Sequence, residues 1–338
     1  MSNWYLQNGK ESDVVVSTRI RLARNIAGYN FENNLNKEEK ENILNKIEGI
    51  IPNIGYELKL LKLKDMDDIS KQALVEENII SPDFIQDNVN EKAIAINPEE
   101  NICIMVNEED HLRIQTFSEG MAIEELLNLI TELDEKVEKN LEYAYSEKYG
   151  YLTACPTNVG TGIRISVMVH LPALSKTGNL GKILQIINNL GMTVRGIHGE
   201  GSKSSGDMYQ ISNKQTLGIT EQEIAKNMKA IIEKVIEQER LARKYLTKNS
   251  IELEDEIYRT YGILTNARKL SNDEAEKLMS MVKLGTDLGI ISELDDAKVK
   301  KIMLYIKPAN LQKYYGKMME PLERDIQRAK LIKEIIKG

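Results

Sequence analysis

Arginines and carboxylates recur in this chain at spacings that bring them to one side of extended segments. In Val16-Ser17-Thr18-Arg19-Ile20-Arg21-Leu22, a strand sends Ser17, Arg19 and Arg21 to one face and Val16, Thr18, Ile20 and Leu22 to the other. The run from Gly162 to Leu171 alternates in the same way, with Ile163, Ile165, Val167, Val169 and Leu171 opposite Arg164, Ser166, Met168 and His170. Ile102 to Val106 reads as a buried strand. It leads into Asn107-Glu108-Glu109-Asp110-His111-Leu112-Arg113, where extended geometry would align Glu109, His111 and Arg113. Met192 to Gly196 is a shorter strand carrying Arg195, and the Gly/Ser loop from Gly199 to Gly206 leads to Met208–Ile211 as its hairpin partner.

The chemistry open to such a set is the handling of phosphate. A guanidinium is permanently charged and forks bidentately onto phosphate oxygens, so converging arginines suit a polyphosphate. Phosphoryl transfer needs mainly positioning and charge neutralisation, which arginines supply without a phosphate-binding loop. A carboxylate such as Glu109 or Glu200 can hold a planar guanidinium by paired hydrogen bonds and accept a proton. Any single arginine here also fits an exposed strand position paired with a neighbouring acid; the parity shared by several strands favours a site. Other signatures are missing: no G-x-x-x-x-G-K-[ST] loop, no H-R-D or D-F-G, no G-x-S-x-G elbow. His111, His170 and His198 offer no H-x-x-x-H pair for a metal.

The elements that must position these residues fall into two parts. With 338 residues the chain has room for two domains. Strand-like alternation, glycines and short helical pieces continue to about residue 215, and helices follow. The sheet should be largely antiparallel, since its strands bury aliphatics on one face and show arginine on the other. Thr220-Glu221-Gln222-Glu223 is a capping box ahead of Ile224, Met228, Ile231, Ile232, Val235 and Ile236. Ser271-Asn272-Asp273-Glu274 repeats the signature, and Pro321 suits the first turn of a last helix with Leu322, Ile326, Ala329, Ile332 and Ile336 as its apolar face. The expected fold class is α+β, an antiparallel sheet flanked by helices over 1–245, followed by an all-α bundle over 246–338.

A net charge of −7 argues against nucleic acid as main ligand, and no run of about 20 apolar residues spans a membrane. Two cysteines, Cys103 and Cys155, make no disulfide framework, and the N-terminus lacks a secretion-signal pattern, so a reducing cytoplasm is expected.

Four segments together resemble the ATP:guanido phosphotransferases, the family of creatine and arginine kinases. They are Val16 to Arg21, Asn107 to Arg113, Cys155-Pro156-Thr157-Asn158-Val159-Gly160-Thr161-Gly162-Ile163-Arg164, and Arg195-Gly196-Ile197-His198-Gly199-Glu200. The match covers about residues 14–240, in the family's order. The resemblance implies ATP as phosphoryl donor with Mg²⁺ carried by the nucleotide and no metal ligand from the protein. It implies that Ser17, Thr18, Arg19, Ile20 and Arg21, with Arg113, Arg164, Ile165, Ser166, Val167 and Met168, line the ATP site. Arg195, Gly196, Ile197, His198, Gly199 and Glu200 would complete it. Glu109 would be the catalytic carboxylate and Glu200 the second clamp. Cys155 matches the family's reactive cysteine, which nearby arginine charge would favour as thiolate. The loop after Glu200 would act as a lid.

Small-molecule guanidino kinases carry a helical domain ahead of the first arginine motif; here sixteen residues precede Ser17 and a helical region follows instead. That layout resembles the bacterial protein-arginine kinases (McsB type). Arg324-Asp325-Ile326-Gln327-Arg328-Ala329 matches the R-D-x-x-R-A signature of their phosphoarginine-binding domain. Arg324 and Arg328 lie four apart, where both can grip phosphate, with Asp325 for the guanidinium. At Asn78 the relatives lead one to expect a nucleotide-contacting histidine. The resemblance further implies protein substrates with exposed arginines, such as stress-response repressors and misfolded proteins. It also implies an activator protein, a protease/chaperone system, and a homodimer or larger assembly. A free-arginine kinase and a catalytically silent phosphoarginine-binding adaptor are the alternatives.

Overall fold

Strand parity organises the N-terminal part of the molecule. In the computed structural model, residues 3–6, 9–86, 89–196 and 205–337 are described. The first segments are β1 (Val15–Arg24), α1 (Lys37–Ile54), β2 (Lys59–Lys62), α2 (Asp68–Glu76), β3 (Ala93–Ile96), β4 (Ile102–Val106), β5 (Leu112–Glu119) and α3 (Ile123–Glu138). The hairpin β6 (Tyr145–Ser146) and β7 (Gly150–Tyr151) follows, then β8 (Ile163–His170), α4 (Pro172–Lys176), α5 (Leu180–Asn189), β9 (Met192–Gly196) and β10 (Met208–Asn213). The remainder is helical: α6 (Glu221–Leu246), α7 (Ser250–Asn266), α8 (Asn272–Asp287), α9 (Asp296–Tyr305), α10 (Pro308–Tyr315) and α11 (Pro321–Lys337).

The main sheet has eight strands in the order β2-β3-β4-β5-β1-β8-β10-β9, all paired antiparallel. One face carries Ile20, Leu22, Ile114, Ile163, Ile165 and Val167, fully or almost fully buried beneath α1, α3 and α6. Each such side chain contributes roughly 1.5–3 kcal/mol relative to exposure. At the start of β1 the register shifts between Val15 and Ser17. The extra residue makes Val15 the buried one, while Val16, expected beside Thr18, is only half-buried. The opposite face is covered at its β3–β5 end by a smaller cluster around Leu63, Leu74, Ile79 and Phe84, with Trp4 stacked on Phe117 at 5.6 Å between ring centroids.

The helical signals are realised as hydrogen bonds. The Thr220 hydroxyl accepts from the Glu223 N–H at 3.2 Å and the Glu223 carboxylate accepts from the Thr220 N–H at 2.9 Å. Ser271 caps α8, accepting from the Glu274 N–H at 3.2 Å. The expected face of α11 is met in part: Ala329 and Ile332 are buried and Ile336 packs on the same core, while Leu322 and Ile326 are 60% and 45% exposed. Arg328, Leu331 and Ile335 complete the surface that packs on α7 and α9. Two apolar cores result, one ending on α6 and one beginning at Leu253, with Leu246 packed against both.

A buried ion pair closes the end of β1. Arg24, 2% exposed, donates from Nε and Nη2 to Asp134 Oδ2 (3.0 and 2.6 Å) and from Nη1 to the carbonyls of Ala23 and Thr161 (2.9 and 3.0 Å). The Tyr143 hydroxyl donates to the other Asp134 oxygen at 3.0 Å, and the Tyr151 ring lies 3.5 Å from the guanidinium carbon. Removing the acid leaves an uncompensated buried cation. Asp134→Ala is therefore expected to lower the unfolding free energy by about 3–5 kcal/mol, measured by urea denaturation. A loss under about 1 kcal/mol would mean the guanidinium is satisfied without its carboxylate.

Candidate functional site

Register decides which side chains share the second face. Arg21 lies directly across from Arg164 on β8 and from Gln115 on β5; Arg19 faces Ser166 and Phe117; Ser17 faces Met168. Residues paired in this way point to the same side, with Cβ atoms about 4.5–5.5 Å apart. Arg113, paired with Ala23, sits on the same side and diagonal to Arg21. The pairing continues through Gln210 to Arg195, exposed on the edge strand β9. The expected arginines thus occupy one continuous surface.

That surface is electrostatically costly when nothing is bound. Burial, then the charges of Arg113 and Arg19, pushes the Arg21 guanidinium down to about 9. Burial, then Arg164 and Arg113, pushes Arg19 down to about 10. An ordinary arginine titrates above 12, so these groups are cations held where positive charge is disfavoured. Buried Nε atoms of Arg21 and Arg113 have no hydrogen-bond partner among the described residues. A polyanion meets both demands, supplying charge and acceptors together.

The carboxylates stand on the turn between β4 and β5. The expected extended alignment of Glu109, His111 and Arg113 does not occur. Asn107 takes a left-handed conformation (φ 58°) and its N–H donates to the His111 carbonyl at 3.0 Å, closing a turn over 107–111. The neighbours of Glu109 in this turn are buried and tied. The Asn107 amide donates to the carbonyls of Lys40 (3.0 Å) and Glu91 (2.7 Å). Glu108 pairs with Arg113 and accepts from the Ser81 hydroxyl at 2.9 Å, its burial pushing the carboxyl up against their pull. Asp110 accepts from the Asn25 amide and from the Ala154 N–H, both at 2.8 Å. His111 accepts from the Ile26 N–H at Nδ1 (3.0 Å), and Nε2 lies 2.8 Å from the Asn30 carbonyl, which assigns the proton to Nε2 of a neutral ring. Glu109 itself is 37% exposed and ion-paired with Arg113.

The same turn positions Cys155. Asp110 holds the N–H of Ala154, and Asn25 donates to the Leu152 carbonyl at 3.0 Å, so the Cys155 segment is fastened to the Glu109 turn. Cys155 is half-buried, its Sγ 3.0 Å from the Thr157 hydroxyl. Behind it, Thr216 donates from Oγ1 to the carbonyls of Thr157 and Val159 (2.9 and 2.8 Å). Gly162, at φ 66°, must be glycine, since a Cβ would stand 2.6 Å from the Arg24 guanidinium.

Several expected site residues lie elsewhere. Thr18, Ile20, Ile165 and Val167 turn to the helix-covered face because of strand parity; the last three are in the core, and Thr18 donates to the Gly120 carbonyl at 2.7 Å. Their side chains cannot line a site on the arginine face. Ser166 is buried 2.9 Å from the Ser212 hydroxyl, Met168 is half-buried, and Gly196 is buried at the end of β9. Ile197, His198, Gly199 and Glu200 lie outside the described residues, as do residues 201–204. Asn78 contributes its backbone: at φ 59° its carbonyl accepts from Arg19 Nη1 at 3.4 Å. Asn25, Ser81, Asn107, Glu108 and Asp110 have positioning contacts here that their sequence pattern does not assign. The run Asn107-Glu108-Glu109-Asp110, a turn-forming Asn followed by three acids, is the available signal for the last three; Asn25 and Ser81 carry none.

The C-terminal motif also differs from expectation. Arg328 is 1% exposed and donates to the carbonyls of Ile306 (2.6 Å) and Leu270 (2.7 Å) and to Asp325 (2.8 Å). It ties α11 to its neighbours and does not share an open face with Arg324, which is half-buried and donates to the Met319 carbonyl at 3.2 Å.

Residues 40–242 match the family model for the ATP:guanido phosphotransferase C-terminal catalytic domain, and residues 250–338 match that for the protein-arginine kinase McsB C-terminal domain. A protein-arginine kinase of Halothermothrix orenii is 46% identical over 335 residues, covering 98% of this chain and 96% of the relative. One from a Geobacillus species is 44% identical over 343 residues, covering 100% and 94%. Among solved structures, the duplicated taurocyamine kinase of Schistosoma mansoni, with bound transition-state-analogue components, has a TM-score of 0.61 at 30% identity. That match covers 67% of this chain and 33% of the duplicated one. A lombricine kinase has a TM-score of 0.60 at 26% identity, covering 69% and 68%.

Replacing one cation on the crowded face should relieve repulsion. Arg21→Gln is expected to be more stable than the parent by about 1–2 kcal/mol when ligand-free, and to lose stabilisation by an added nucleoside triphosphate. Thermal unfolding with and without ligand reads both; a ligand-free variant less stable than the parent would remove the electrostatic argument.

Proposed function

The chain belongs to the ATP:guanido phosphotransferase family, and on that premise we propose that it transfers the γ-phosphoryl group of ATP to the guanidinium of arginine side chains in proteins. The observation that carries the reading is a sheet face bearing Arg19, Arg21, Arg113 and Arg164 beside the half-exposed carboxylate of Glu109 on an otherwise pinned turn.

In this reading Arg19, Arg21, Arg113, Arg164 and Arg195 hold the phosphates, with Ser17 ahead of Arg19 and Arg21 on β1. Mg²⁺ arrives with the nucleotide and neutralises part of its charge. Glu109 receives the acceptor guanidinium through paired hydrogen bonds and turns one nitrogen toward the γ-phosphorus, with Glu200 as the second carboxylate and Cys155 beside the acceptor. A nitrogen–phosphorus bond forms and the bond from the γ-phosphorus to the β–γ bridging oxygen breaks, releasing ADP. Glu109 accepts the proton that the nitrogen loses. Arg113 already presents a guanidinium to Glu109, which supports this use of the carboxylate.

Relatives matched over nearly their whole length carry the name protein-arginine kinase, which supports a polypeptide acceptor over free arginine. No helix among the described residues is long and apolar enough to cross a membrane. We extend the proposal to a cytoplasmic enzyme acting on stress-response repressors and misfolded proteins, alongside an activator and a protease/chaperone system, as a homodimer or larger assembly. For phosphoarginine binding at α11, we propose Arg324, held by the Met319 carbonyl, as the approachable cation, beside Asp325, which Arg328 holds in place.

The test is incubation with Mg-ATP and either an unfolded arginine-rich protein or free arginine. Acid-labile phosphate is expected on the protein, and Glu109→Gln should slow its appearance about 10²–10⁴-fold with nucleotide still bound. Label on free arginine alone would replace the polypeptide acceptor by a small guanidine. Acid-stable label would exclude a guanidinium acceptor.

A further inference from the structure

Residues 76–81 leave α2 and cross from the C-terminal helices to the arginine face. At one end the Glu76 carboxylate caps α10. Oε1 accepts from the Ala309 N–H at 2.7 Å; Oε2 accepts from the Asn310 N–H at 2.8 Å and from its side-chain amide at 3.1 Å. Pro308 opens this helix and has no N–H, so these are its first two backbone donors, where a carboxylate is the favoured acceptor. The Glu76 carbonyl accepts from Lys307 Nζ at 2.5 Å, and the preceding carbonyl, that of Ile306, is held by Arg328.

At the other end the same segment touches the site at three points. The left-handed Asn78 presents its carbonyl to Arg19. The Ile79 carbonyl accepts from Gln115 Nε2 at 3.0 Å. The Ser81 hydroxyl donates to Glu108, the ion-pair partner of Arg113. A short strap therefore joins the tip of α10 to two of the arginines and, through Arg113, to Glu109.

We propose that the C-terminal helices position the nucleotide site through this strap, with Glu76 as a positioning residue for Arg19 and Arg113. The proposal rests on the arginine face being the nucleotide site. Long arginine side chains lose rotamer freedom when they bind, and holding one in place beforehand removes that cost from binding. The left-handed backbone at Asn78, unusual outside glycine, is retained because both ends of the strap are anchored. Glu76 itself lies among residues of α10 and is not assigned to phosphate or acceptor. A purely architectural cap would alter stability and leave nucleotide affinity alone.

The experiment is a double-mutant cycle in the full chain, read as the dissociation constant for Mg-ATP without any acceptor. Glu76→Gln keeps the size of the side chain but turns an amide N–H toward a helix donor. Its dissociation constant is expected to rise about tenfold. In an Arg19→Ala background the same substitution should cost less than about threefold, because the contact it works through is gone. Should Glu76→Gln fail to fold, Lys307→Met cuts the second tie and leaves the carboxylate cap, and is read in the same cycle. Parent-like affinity in the folded variant, or an equal loss with and without Arg19, overturns the proposal while leaving the phosphotransferase reading intact. A parent chain that fails to bind Mg-ATP overturns both.

Discussion

Guanidinium groups crowded on one face of an antiparallel sheet are the constraint that the rest of the structure accommodates. Arg19, Arg21, Arg113 and Arg164 repel one another and are poorly hydrated, so the surface carrying them disfavours the ligand-free state. The other face compensates. Its aliphatic side chains are fully buried under α1, α3 and α6, and this supplies the burial that holds the central strands in register. With one face given to the core, the other is available to a polyanion. Arg24 shows the contrast: a few residues from Arg21 but of opposite parity, it is neutralised by Asp134 and serves the fold.

Around the carboxylate the design is rigidity by buried polar contacts. Asn107, Glu108, Asp110 and His111 each have fixed partners from other segments, among them Asn25, Ser81 and the N–H of Ala154. The neutral ties are worth about 0.5–1.5 kcal/mol net each and those to the carboxylates of Glu108 and Asp110 about 1.5–3 kcal/mol. Together they leave the turn no alternative conformation, because shifting it would strand several buried polar groups at once. Glu109 remains the turn's half-exposed member, on a support that moves little.

The C-terminal helices attach by the same kind of chemistry. Arg243 contacts Glu239, Asp287 and the Asp13 carbonyl; Lys300 pairs with Glu119 and Asp296; His170 lies 2.9 Å from the Ser280 hydroxyl. Sliding one part over the other would unpair buried charges, so the two pack in a single arrangement, and burial keeps His170 neutral within it.

What the chain's own pattern determined was everything that depends on a local period. Alternation of two placed Arg19, Arg21 and Arg164 opposite Ile20, Ile163 and Ile165, and helical periodicity with its caps marked α6, α8 and the first residue of α11. Both follow from backbone geometry that neighbouring residues share, so both can be read without knowing what the segment touches. Tertiary structure decided the rest. The bulge that buries Val15, the left-handed turn at Asn107, the face on which α11 docks and the withdrawal of Arg328 into the bundle all depend on distant partners. Parity separates Arg24 from Arg21, but nothing local says that Arg24 will meet a buried carboxylate, or tells Glu76 from any helix-terminal acid. Which becomes ligand site, core ion pair or interdomain cap is settled by the groups that folding brings opposite it, since the interaction of a charge is set by its surroundings and not by its sequence neighbours.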